Sequence, residues 1–114
     1  MTVQRFGTPT AAEPVVSFDR RELQVILNIY GRMVAAGEWR DYSIDMLREK
    51  AVFSILRRAA EHPIYRIEKR PKEAQRQGAY TVLGFDGRIL KRGRELPIVL
   101  RVLERKLIRA VSLD

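Results

Sequence analysis

No cysteine occurs among the 114 residues, which excludes disulfides, thiolate zinc sites and thiol nucleophiles together. The absence fits a reducing compartment. His62 is the single histidine, and a lone imidazole without thiolates lacks the partners that a zinc site needs. Long apolar runs are also missing. Uncharged apolar-rich stretches of the folded part, such as residues 23–31, fall far short of the about 20 residues that a helix needs to cross a bilayer. The opening residues 1–18 have neither the basic nor the apolar region of a signal peptide. No membrane association and a cytoplasmic location are therefore expected. There is no Gly-rich phosphate loop, nucleophile elbow or dinucleotide fingerprint, and neither a repeat nor a low-complexity tract.

What remains is a globular composition, 46% hydrophobic and 32% charged, in a chain of single-domain length. The net charge of +8 is unevenly placed. Residues 1–62 carry 9 basic and 8 acidic side chains, whereas residues 63–114 carry 13 basic and 6 acidic. Nearly all of the excess is thus a field of the second half, the kind that favours an anionic partner such as nucleic acid or an acidic protein. A charge excess kept for solubility is the plainer reading.

Gly7, Pro9 and Pro14 with little periodic hydrophobicity predict a disordered tail over residues 1–17, ahead of a single domain over 18–114. Val15, Val16 and Phe18 can fasten the end of that tail. Asp19 and Glu22 have the spacing of a capping box, and Leu23, Ile26, Leu27, Tyr30, Met33 and Val34 repeat with helical period. Gly37 supplies the left-handed residue that ends the helix. Gly31 within it costs up to about 1 kcal/mol against alanine, which a close packing contact would justify. Alternation then predicts a strand over about 40–44. Asp45 can cap a second helix through Val52, Ile55, Leu56 and Ala59, although residues 51–56 also read as a strand. Strands follow over 64–69, 79–85 and 88–92, the last two joined by a hairpin at Asp86-Gly87. A two-residue loop would pair Leu83 with Leu90, and neither parity of this hairpin gives a clean apolar face. Leu96, Val99, Leu100, Leu103 and Leu107 form a final helical stripe with Pro97 in its first turn. The expectation is α+β: three helices packed on a small, mostly antiparallel three- to four-stranded sheet, in the order α-β-α-β-β-β-α.

Catalytic chemistry finds little support. Glu38, Asp41, Asp45 and Glu49 form the one acidic cluster, but Arg40, Arg48 and Lys50 interleave with it and favour solvated ion pairs over a magnesium site. Glu68 sits between Arg66 and Arg70 at strand spacing, which again reads as local pairing. No enzyme activity, cofactor or metal is expected.

The meander places the loop after the first of the three strands beside the exit of the third. Lys69, Arg70, Lys72 and Arg76 would then converge with Lys91, Arg92 and Arg94 on one rim, a candidate site for phosphates. Tyr65 and Tyr80 can stack bases on such a sheet, though strand tyrosines more often belong to the core. A small nucleic-acid-binding module is the first functional expectation. The second is an interaction or adaptor domain, homodimeric or not, whose basic face docks an acidic partner.

The stretches FDRREL at 18–23, IYRIEKRPK at 64–72, QGAYTV at 77–82 and LKRG at 90–93 resemble a small alphaproteobacterial family of about this length with no assigned function. The resemblance covers nearly everything after the tail. It implies a single bacterial cytosolic domain and no catalytic residues.

Overall fold

The structure is a computed structural model that describes residues 2–4, 14–58 and 62–105, the first three by their backbone alone. The chain is α+β. Strand β1 (Thr2–Gln4) and helix α1 (Arg20–Ala35) are followed by β2 (Asp41–Met46), β3 (Ala51–Leu56), β4 (Tyr65–Lys69), a 3-10 turn at Pro71–Glu73, β5 (Tyr80–Leu83), β6 (Ile89–Gly93) and α2 (Leu96–Val99). Strands β2 to β6 form an antiparallel meander in chain order, and β1 adds in parallel outside β2.

Helix α1 starts as its spacing predicts. The Glu22 amide donates to Asp19 Oδ1 and the Asp19 amide donates to Glu22 Oε1, both at 2.8 Å. Gly37, at φ 79°, follows the last turn. The buried stripe, however, is Glu22, Ile26, Ile29 and Met33, while Leu27 and Val34 face outward. Ile29, absent from the expected stripe, completes the i, i+3, i+4 pattern once the helix is turned toward the sheet.

The expected second helix is a strand. Residues 51–56 are buried at every position, because β3 is flanked by β2 and β4 and supplies side chains to both faces. A run buried on both sides loses the alternation that identifies a strand. Asp45 accordingly lies in β2 opposite Val52 rather than capping a helix. Ala59 lies outside the described residues, as does Leu107 of the final stripe. Among the described residues the helix expected over the second region is absent, and the sheet has two more strands than the upper expectation of four. Within residues 1–17, Thr2–Gln4 pair with Tyr42, Ser43 and Ile44, and the Val16 amide donates to Leu47 O at 2.8 Å.

One face of the sheet carries the core. Ile44, Phe53, Ile55, Ile67 and Val82 meet Ile26, Ile29 and Met33 of α1, Trp39, and Leu96, Val99, Leu100 and Leu103 of the C-terminal segment. Tyr30, Trp39, Tyr42, Phe53 and Tyr65 interlock, with Tyr42 stacked on Phe53 at 4.7 Å and Tyr30 edge-on to both. The hairpin parity is thereby settled: Tyr80 and Val82 point to the helices, Thr81 and Leu83 away. The two-residue-loop register holds for Tyr80↔Gly93, Thr81↔Arg92 and Val82↔Lys91, then slips by one, so that Leu83 pairs with Ile89 and not Leu90. Gly87, at φ 81°, turns the chain there.

A β-carbon at Gly31 would meet nothing within 4 Å, so no packing contact requires glycine at that position. Gly31→Ala is expected to raise the unfolding free energy by up to about 1 kcal/mol, measured by urea denaturation.

Candidate docking surface

Four short stretches, 18–23, 64–72, 77–82 and 90–93, meet at one end of the sheet. Three of them are joined by the Glu22 carboxylate, which is only 7% exposed. Oε1 accepts from the Asp19 amide and from Lys69 Nζ at 2.8 Å, and Oε2 accepts from the Tyr80 hydroxyl. Lys69 Nζ also donates to Ser17 O at 2.9 Å. Lys69 and Tyr80 are cross-strand partners on the helix-facing side of β4 and β5, so α1 is pinned to two strands through one side chain. Burial, and then the hydrogen bond to Glu22, raise the Tyr80 hydroxyl well above its ordinary value of 10.0.

Close beside it, Gly78 allows the 71–78 loop to lie on the backbone of Gly93 and Arg94. A β-carbon at Gly78 would come within 2.2 Å of Gly93 C and O, and φ is +95°. Arg94 Nη2 donates to Gln75 O at 2.9 Å and Arg92 Nη1 to Gln77 Oε1 at 2.6 Å. The loop and β6 are therefore one unit.

This geometry separates the expected rim. Lys69 is an internal ion-pair partner. Arg70 lies on the opposite face, with Nε at 3.2 Å from Glu68 Oε1, and Glu68 Oε2 accepts from Lys50 at 3.3 Å. Lys72 reaches Glu49 Oε2 at 3.1 Å from an exposed position. Arg76, Lys91, Arg92 and Arg94 are exposed. Lys91 is on the helix side of β6 and Arg92 on the other, as their partners Val82 and Thr81 require. Tyr65 packs toward Trp39 at 6.1 Å and Tyr80 is held by Glu22, so both tyrosines belong to the covered face and neither offers a stacking platform.

Two concavities flank β6. One, of about 300 Å³, lies on the face away from the helices, between Arg70, Glu73, Gln77, Thr81, Ile89 and Arg92. Its cations are offset by Glu68 and Glu73. The other, of about 400 Å³, runs between β6 and the C-terminal segment and is lined by Leu90, Lys91, Ile98, Arg101, Val102 and Arg105. Three cations stand over an apolar floor there, with no carboxylate among the lining residues. Arg101 and Arg105 escaped the sequence reading because only the turn at Leu100 carries them back beside Lys91. Among the described residues no group of three or more His, Asp or Glu side chains could hold a metal, and no helix is long and apolar enough to cross a membrane.

Fold and surface together define a small open-meander α+β protein with one basic, partly apolar sheet edge. The model of the family described as a protein of unknown function (DUF2794) matches residues 16–100, and the chain belongs to that family. All four stretches, the three of the Glu22 junction included, fall inside the matched segment. No curated protein and no solved structure shows a significant match.

Three outcomes are expected. Glu22→Ala should cost about 3 kcal/mol, since it removes the reciprocal bond of the capping box and strands the Lys69 ammonium against buried surface, as read by urea denaturation. Because the folded state holds the Tyr80 proton more tightly than the unfolded chain, its contribution to stability is complete below pH 10 and declines as pH rises beyond it. Tyr80→Phe should remove that alkaline component in melting temperatures measured from pH 8 to 11. Gly78→Ala should destabilise by more than about 1 kcal/mol, from the left-handed backbone and the clash with Gly93.

Proposed function

We propose that this protein is a non-enzymatic interaction module that docks an acidic protein partner through the basic side built by β6 and α2. The observation that carries this reading is the mixture of side chains there. Ile89, Leu90 and Ile98 are exposed, and they are interleaved with exposed Lys91, Arg92, Arg94, Arg101 and Arg105. A phosphate backbone asks for cations alone, whereas apolar groups ringed by charge are what a protein interface covers. The two tyrosines that would stack bases face the core, which removes the main argument for reading single strands.

Nucleic-acid binding is the second reading, favoured by the exposed Lys72, Arg76 and Arg94 at the loop end. One experiment separates them. Binding of labelled polyglutamate and of duplex DNA is measured by anisotropy between 50 and 300 mM salt, for the native chain and for the double variant Lys91→Glu, Arg101→Glu. The expected result is polyglutamate binding that the double variant weakens at least tenfold, with DNA bound more weakly throughout. Tighter DNA binding, with log K falling against log salt at a slope of about −4, would instead establish phosphate contacts by about four cations.

A further inference from the structure

We infer that β6 is the docking strand itself: an extended partner segment that alternates apolar and acidic residues adds beside β6 as a further strand of the sheet. This rests on the acidic-partner reading and specifies its mode.

The hydrogen-bond ladder stops at β6. Among the described residues β6 pairs with β5 alone, so one of its edges is open. The Arg70 amide donates to Ala79 O at 2.7 Å, which makes residues 70 and 79 a hydrogen-bonded pair. Alternation along an antiparallel ladder then turns the amides and carbonyls of Thr81 and Leu83 toward β4, and those of Tyr80 and Val82 toward β6. Their partners Gly93 and Lys91 bond inward, and the amide and carbonyl of Arg92 point to the open edge. Strand addition satisfies such groups and supplies affinity through the main chain, while pockets for alternate side chains supply selectivity.

A groove runs beside this edge. A strand laid along β6 sends every other side chain toward the concavity of about 400 Å³ beside α2, where Lys91, Arg101 and Arg105 accept its carboxylates. The remaining side chains fall on the opposite face, near Ile89 and Arg92. The bulge at Val82/Leu83 is what brings Leu90 to the groove side together with Lys91.

Charge selects the occupant. Exposed, partly apolar edges invite self-pairing, but a second copy would set Lys91 and Arg92 of each β6 against the same residues of the other, and like charges opposite each other oppose pairing. Of the nearby acids, Glu104 is turned to Arg32 at 3.2 Å. An acidic strand meets no such repulsion.

The test uses the full chain and a ten-residue peptide that alternates valine and glutamate, together with the same peptide N-methylated at every second amide in either of the two registers. Titration should show binding of the parent, loss of at least tenfold in affinity for one N-methylated register, and little change for the other. Exchange of the Arg92 amide should slow at least tenfold in the complex. Equal binding of both N-methylated peptides, or an Arg92 amide that exchanges unchanged in the complex, overturns strand addition and leaves the acidic-partner reading standing. Failure of all three peptides and of polyglutamate, alongside salt-dependent DNA binding, overturns both.

Discussion

The Glu22 carboxylate carries three duties that are usually divided among several side chains. It closes the first turn of α1, neutralises Lys69 from β4 and accepts the hydroxyl proton of Tyr80 from β5. A buried carboxylate is tolerated only when its charge is paired and its lone pairs are used, and here both conditions are met by residues from three elements. The helix cannot rotate or slide on the sheet without breaking at least one of these bonds. The apolar contacts of Ile26, Ile29 and Met33 hold the layers together without direction, whereas Glu22 sets where the layers sit.

That junction also determines what the protein presents outward. By consuming Lys69 it removes one cation from the surface, and by holding Tyr80 inward it fixes the parity of β5 and hence of β6. Lys91 then falls beside α2 and Arg92 on the other face. The Gly78–Gly93 approach binds the 71–78 loop to the same strand, so that the basic side is a rigid continuation of the core. A surface intended to recognise a partner gains from such preorganisation, since less order has to be imposed at the moment of binding.

The distribution of charge has a structural counterpart. Lys50, Lys69 and Arg70, at the ends of the inner strands, are paired. Cations on the edge strand and on the segment after it are exposed. Burial demands partners and solvent does not, so a strand at the border of a sheet is where an excess of one sign can accumulate.

Local chemistry made much of this legible in the amino-acid order. Asp19 with Glu22, Gly37, the period of α1, the alternation of β2 and β4, the Asp86-Gly87 turn and the Pro97 start are each decided within a few residues, by capping, backbone sterics and amphipathic repeats. The cysteine count and the charge imbalance needed no structure at all. What tertiary structure alone decided is every question whose answer lies on another strand. Residues 51–56 became β3 because two neighbours offered ladders on both sides, which masks alternation. Glu22 was recognisable as a cap but not as the partner of Lys69 and Tyr80, 47 and 58 residues away. The seven-residue rim divided between faces because a strand sends successive side chains to opposite sides, and the face each one takes is set by the register of the whole sheet, a property that no single segment contains.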